Sequence, residues 1–243
     1  MARVDIEGDA RRAVDVVKSG GVVVIPTDVG YAGMGGCEAA LTRFFKAKGR
    51  GAHKRNAMLG FPELHREVHR LDRRAEDIVR ALVDDFDLPI SAIAPFRAAH
   101  PLLRAFDPAA LEASTEDGTV AMLMNVGKLE DAIARLAAAE GQALFGSSAN
   151  LTGSGTRFRL EDVQPEIRDC AELTINYGLQ KFHTSRRSST MLNLITLEVV
   201  RIGACYEVIR DVLLRHFNIE LPPDPGLDAL PSGHLREAQR QYS

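Results

Sequence analysis

Three stretches of this chain carry side chains able to hold an anion: Lys48-Gly49-Arg50, Ser148-Ala149-Asn150, and Thr27-Asp28 at the end of the apolar run Val22 to Pro26. Two cations and two neutral hydrogen-bonding side chains round one cavity suit a polyphosphate or a carboxylate. The glycine between Lys48 and Arg50 leaves both side chains free to splay towards one guest. From Arg43 to Arg55 the basic residues Arg43, Lys46, Lys48, Arg50, Lys54 and Arg55 occur with no acidic residue among them. A solvated helix end, where cations offset the C-terminal dipole, has the same appearance. The Gly146-Ser147-Ser148-Ala149-Asn150 run lacks the GxSxG spacing of a nucleophile elbow, and no Asp and His pair completes a hydrolase. Read alone, it is an ordinary turn with an N-cap. His65 and His69 have metal-ligand spacing, but Arg66-Glu67-Val68 between them does not make HExxH and no third ligand is evident. They are expected at the surface. Arg186-Arg187, just before Ser188-Ser189-Thr190, reads as a solvated loop unless it faces the first basic patch.

Strands must deliver these residues. A β-branched run stopped by proline reads as a buried strand that opens into a loop at its C-terminal end, which is where open α/β sheets place ligands. A helix from Asp9 to Lys18, with Asp9 as N-cap and Gly20-Gly21 as the stop, precedes it. The four glycines of Gly30 to Gly36 let the backbone turn tightly or approach a ligand closely, and a helix over Glu38 to Lys46 is expected to follow. A short strand over Met58 to Phe61 and a charged helix from Pro62 to Asp85, broken near His69 to Asp72, come next. Leu88 to Pro95 reads as strand or buried loop, Pro101 to Leu111 as a helix, Val120 to Met124 as a strand and Leu129 to Glu140 as a helix. Ala143 to Phe145 is expected as the strand that brings Ser148 and Asn150 to its end. A helix over Leu160 to Arg168, a strand over Leu173 to Asn176, and paired strands over Ser188 to Leu194 and Leu197 to Ile202 give the sheet an antiparallel part. Tyr206 to Phe217 is an amphipathic helix, and the Pro/Gly-rich stretch from Leu221 is expected to be mobile or laid along a partner. The fold class is mixed α/β.

The 243 residues suffice for one sizeable core. A formal net charge of −3 excludes a protein coated in basic charge, so any RNA contact is local. Cys37, Cys170 and Cys205 are odd in number and widely spaced, which suggests neither a disulfide framework nor a structural zinc site. No signal peptide or membrane-spanning run is apparent, and a cytoplasmic protein is expected.

Taken in order, the motifs resemble those of the YrdC-like family, the threonylcarbamoyl-adenylate synthases of tRNA modification. They are Pro26-Thr27-Asp28-Val29-Gly30-Tyr31, Lys48-Gly49-Arg50 with Lys54, Ser147-Ser148-Ala149-Asn150-Leu151-Thr152-Gly153, Ser189-Thr190-Met191-Leu192-Asn193 and Arg201-Ile202-Gly203. The resemblance covers roughly residues 8 to 205. It implies a YrdC-like domain over 1–205, a twisted open sheet of parallel and antiparallel strands flanked by helices, with residues 206–243 as a C-terminal helix and tail. It also implies that L-threonine, bicarbonate and ATP, with Mg2+, are joined into threonylcarbamoyl adenylate with release of pyrophosphate. Lys48 and Arg50 would then neutralise phosphate and carboxylate charge, and Ser148 and Asn150 would bind the nucleotide phosphates. Thr27 would help shape the amino-acid pocket, Ser189 and Arg201 would close the nucleotide side, and Tyr31 and Lys54 would also bind substrate.

The chain departs from the pattern in several places. Val120-Ala121-Met122-Leu123-Met124-Asn125 stands where a Val-x-Val-Arg-x-Pro strand is usual, so a cation is missing from the wall. Val29-Gly30 replaces Thr-x before the tyrosine, Arg55-Asn56 replaces Pro-Leu, and Asn193 replaces aspartate. Two other functions therefore compete: a non-catalytic paralogue that binds nucleotide or double-stranded RNA through Arg43 to Arg55, and a relative that handles another amino acid or carbamoyl adenylate.

Overall fold

The computed structural model describes residues 4–49 and 56–235. Helix α1 (Ile6–Lys18) buries Ala10, Ala13, Val14 and Val17 along one stripe. Asp5 caps it, its carboxylate accepting from the Gly8 amide at 3.0 Å, while Asp9 lies inside the helix and takes a 2.6 Å bond from the Tyr177 hydroxyl. Strand β1 (Val23–Thr27) is buried on both faces: Val23 and Ile25 pack beneath α1, and Val22 and Val24 pack on the opposite side. Each such side chain contributes about 1.5–3 kcal/mol by leaving water, which anchors this run between the two core clusters.

The remaining strands are β2 (Gly30–Gly35), β3 (Ala57–Leu59), β4 (Ile90–Pro95), β5 (Thr115–Glu116), β6 (Thr119–Met124), β7 (Phe145–Ser148), β8 (Leu173–Thr174), β9 (Thr190–Asn193) and β10 (Glu198–Arg201). They form one sheet in the order β10-β9-β4-β6-β3-β7-β2-β1-β8, with β5 paired to β6. The pairs β1/β8, β3/β6 and β4/β9 are parallel and the other pairs antiparallel, so the mixed sheet read from the sequence is observed. Flanking helices are α2 (Glu38–Ala47), α3 (Pro62–Val68), α4 (Arg73–Arg80) with a π turn to Asp85, α5 (Pro101–Ala105), α6 (Pro108–Ser114), α7 (Lys128–Ala139), α8 (Pro165–Asp169) and α9 (Tyr206–Phe217). Among the described residues no helix is long and apolar enough to cross a membrane.

Three expectations need correction. The glycine-rich stretch 30–35 is strand β2, not a turn, because α2 lies hard against it. The Phe44 ring occupies the space that a side chain at Gly33 would need, Ala40 does the same at Gly35, and Gly146 of β7 faces the Gly33 backbone. His65 and His69 are buried, not at the surface. Their Nδ1 atoms lie 2.7 Å apart, and His69 Nε2 is 3.2 Å from the Val120 carbonyl. The described part of the tail, 221–235, lies along the body of its own chain. Leu221 and Leu230 join the main core with Tyr206, Ile209, Val212 and Leu213 of α9, and the Tyr206 hydroxyl donates to the Pro222 carbonyl at 2.5 Å.

Gly33→Ala will drive a methyl group into the Phe44 ring and cost about 1–3 kcal/mol, the usual penalty of overpacking. A thermal melt should show this as a midpoint lowered by several degrees; an unchanged midpoint would refute the close-packing account of β2. The histidine pair predicts an acid limb of stability. Burial holds His65 at a pKa of about 4 and His69 at about 3, below the ordinary 6.5. The unfolded chain therefore takes up protons that the folded one refuses once pH drops below about 6.5. Stability is fully present above that value and is lost progressively as pH falls towards the two folded-state values. The effect is on the order of a few kcal/mol, and His65→Gln should make the urea midpoint fall less steeply over the same range.

Candidate active site at the β1–β2 hairpin

Helix α2 ends at Lys48, which turns inward from the C-cap and is 3 % exposed. Its ammonium donates to the Ser148 carbonyl and, at 2.7 Å, to the Asn150 carbonyl, and lies 5.4 Å from the Phe44 ring centre. The Thr152 amide returns a 2.9 Å bond to the Lys48 carbonyl. The end of α2 and the end of β7 are thus stitched together, and the carbonyls solvate the ammonium while carrying no formal charge themselves. Strand β7 includes Ser148, so the serine is the strand's last residue and not part of the loop beyond. Its hydroxyl is half-buried and makes no hydrogen bond among the described residues. Asn150 is buried. Its amide nitrogen is spent on the Leu151 carbonyl at 2.6 Å, while its Oδ1 is buried without a partner among the described residues. What Asn150 offers is therefore an acceptor.

A second polar group forms where β9 begins and β10 ends. The Ser189 hydroxyl, fully buried, lies 2.8 Å from the Ser91 hydroxyl of β4 and accepts from Arg201 Nη2 at 2.9 Å. Arg201 Nε also donates to the Ser189 carbonyl at 2.9 Å. Gly203 permits this arrangement, since a side chain there would collide with the Ser188 and Ser189 backbone. Sequence reasoning missed Ser91; its signal was one hydroxyl inside the apolar run Ile90 to Ala94.

The β1–β2 hairpin lies between the two groups. On one side the Ala149 amide donates to the Tyr31 carbonyl at 2.7 Å. On the other, the Asp28 amide donates to the Val126 carbonyl at 2.6 Å, and Val29 packs with Val126 and Ala204 against Leu123, Phe182 and Cys205. Thr27 is buried, and its hydroxyl donates to the Gly30 carbonyl at 2.5 Å, which closes the hairpin. Asp28 faces Lys181 at 3.5 Å. Leu123 stands where the resemblance expects arginine, and it completes an apolar wall. Burial also pushes the Cys205 thiol in that wall above its ordinary pKa.

The structure brings Lys48, Ser148 and Asn150 together, and Ser189 and Arg201 together, with Thr27 in the hairpin that joins them. Tyr31 is directed elsewhere: its hydroxyl is 3.1 Å from both Asn176 Oδ1 and the Gly178 carbonyl. Arg50 and Lys54 lie outside the described residues. In the basic stretch, Arg43 pairs with Glu172 at 2.7 Å and Lys46 is exposed. Arg187, expected in a solvated loop, is buried and paired with Asp224. Among the described residues no three His, Cys, Asp or Glu side chains cluster as a metal site.

The Sua5/YciO/YrdC family profile, described as telomere recombination, matches residues 15–203. No curated protein matches the sequence. Among solved structures, a hypothetical protein smu.1377c from Streptococcus mutans UA159 is 24% identical with a TM-score of 0.73, over 87% of this chain and 93% of that one. P. abyssi Sua5 complexed with L-threonine is 21% identical with a TM-score of 0.71, over 91% of this chain and 61% of that one. Full-length HypF in its phosphate- and nucleotide-bound form is 13% identical with a TM-score of 0.59, over 84% of this chain and 25% of that one. At these identities the three structures establish the shared fold, and the profile match over most of the chain establishes kinship: the protein belongs to the Sua5/YciO/YrdC family.

Proposed function

We propose that this chain is an ATP-dependent nucleotidyltransferase that forms L-threonylcarbamoyl adenylate from L-threonine, bicarbonate and ATP, for the threonylcarbamoyl modification of tRNA. The observation that carries the reading is the buried ammonium of Lys48 held between the carbonyls of Ser148 and Asn150, with the Ser148 hydroxyl and Asn150 Oδ1 left unengaged beside it among the described residues. Family membership and relatives solved with L-threonine and with nucleotide support it.

In this reaction the threonine amine captures carbon dioxide from bicarbonate with loss of water. A carbamate oxygen then attacks the α-phosphorus of ATP, and pyrophosphate leaves. The carbamate reverts readily in water, so catalysis consists chiefly of holding three reactants together and stabilising negative charge. Lys48 would supply a fixed cation to the phosphates, joined by Arg50 and Lys54. The Ser148 hydroxyl would donate to a phosphate oxygen. The remaining acceptor on Asn150 suits a donor, such as the threonine ammonium or magnesium-bound water, better than a bare phosphate. Arg201 and Ser189 would face the nucleotide, and the buried hairpin residue Thr27 would fix the shape of the amino-acid pocket. Magnesium fits as an ion carried by the ATP phosphates, a mode that needs few protein carboxylates. Among the described residues of the basic stretch, Arg43 is already paired and Lys48 is turned inward, so neither adds support to an RNA-binding reading.

Purified protein incubated with ATP, Mg2+, bicarbonate and single amino acids should release pyrophosphate, fastest with L-threonine. Preference for another amino acid would transfer the reading to a related carbamoyl adenylate, and no release with any amino acid would overturn it. Asn150→Ala should lower kcat/KM by roughly 10- to 100-fold, the loss of one hydrogen bond to a charged partner. Because the change also removes the amide's 2.6 Å bond to the Leu151 carbonyl, its thermal midpoint should fall by a few degrees, and the kinetics are compared at a temperature where both proteins are folded.

A further inference from the structure

Segment 221–235 follows α9, and it is fastened at the two strand ends that carry Ser189 and Arg201. Arg187, 4 % exposed, donates through Nη1 to Asp224 Oδ2 at 2.7 Å and through Nη2 to the carbonyls of Gly226 at 2.9 Å and Leu230 at 2.6 Å. The other carboxylate oxygen of Asp224 accepts the Gly226 amide at 2.9 Å, which folds the turn that presents those carbonyls. Further along, the Ile202 amide donates to the Gly233 carbonyl at 2.8 Å, and His234 pairs with Arg201 as an antiparallel bridge. On the opposite side of Ser189, the Ala204 amide donates to the Ser188 carbonyl at 2.8 Å. Ser188-Ser189 is thus held between Gly203-Ala204 and a buried arginine that grips the segment. A guanidinium out of water is costly unless it is paired; with Nε buried and unpartnered among the described residues, Arg187 depends on the bonds of Nη1 and Nη2 to Asp224 and the turn beside it.

We propose that Arg187 is a positioning residue: by clasping the Asp224–Leu230 turn it holds the Ser189 hydroxyl and the Arg201 guanidinium in the register needed on the nucleotide side of the site. This rests on the function proposed above and deepens it. The clasp acts on nucleotide affinity and leaves the amino-acid pocket at the β1–β2 hairpin untouched.

The test compares Asp224→Asn and Arg187→Lys with the parent full-length chain by pyrophosphate release, calorimetric ATP binding and amide hydrogen exchange. Asp224→Asn should raise both the KM and the Kd for ATP by about tenfold, the equivalent of one charge-assisted hydrogen bond. The KM for the amino acid and kcat should stay within about twofold by the same measure. Exchange should quicken at 187–191 and 201–204, while residues 22–27 keep their protection. Asp224→Glu should recover part of the ATP affinity. Faster local exchange with unchanged ATP affinity would overturn the positioning role, as would unchanged exchange. Loss of protection throughout the chain, with Arg187→Lys behaving alike, would reduce the contact to a plain stability element and also overturn it. A parent protein that turns over ATP while both variants match it would sink the clasp alone; a parent that neither binds nor consumes ATP would sink the clasp and the proposed function together.

Discussion

A single buried ammonium organises the site. Lys48 caps helix α2, yet its side chain runs inward to the backbone oxygens at the end of β7. A lysine this deep is tolerated because carbonyl dipoles replace water round the charge. The contact fixes two loops far apart along the chain, since the lysine and the asparagine are 102 positions apart. Strand β7 can then end at Ser148, Asn150 can turn its oxygen inward, and β2 can accept the Ala149 amide.

The hairpin β1–β2 propagates that arrangement across the molecule. Its strands are buried on both faces, and its turn is closed by the Thr27 hydroxyl, so it behaves as a rigid wedge. One flank touches the Lys48 group and the other touches the apolar wall of Val126, Ala204 and Leu123. The serine pair Ser91 and Ser189 sits on β4 and at the start of the neighbouring β9, where a parallel pairing sets their register. Parallel and antiparallel ladders thus have separate effects: the antiparallel hairpin supplies the wedge, and the parallel pair aligns the hydroxyls.

Much of this was legible in the residues themselves. Helix α9 begins and ends where its apolar spacing says, because its face is continuous and Asn218 takes the left-handed turn that stops it. Strand β1 was legible from its unbroken β-branched run. Strand β2 was hidden, since glycine ordinarily weakens strands, and its glycines are explained by the nearness of the Phe44 ring and Ala40, which no local pattern reveals. The histidine pair misleads because i and i+4 spacing puts two rings on one helix face without saying whether that face meets water. The burial of Arg187 depends on Asp224, which lies 37 residues further along, and no local pattern records such a pairing. At the site, Lys48, Ser148 and Asn150 could be named from motif order, but the direction in which Asn150 presents its amide could not, because it follows from the Leu151 carbonyl claiming the nitrogen.

Leu123, standing where the resemblance expects arginine, leaves the two flanks of the hairpin unlike. Hydrocarbon from Val29, Leu123 and Phe182 lines one side, and the formal charge of Lys48 stands on the other. The two flanks of one hairpin thus meet their surroundings by opposite means, one by excluding water from hydrocarbon and the other by replacing water with carbonyl dipoles.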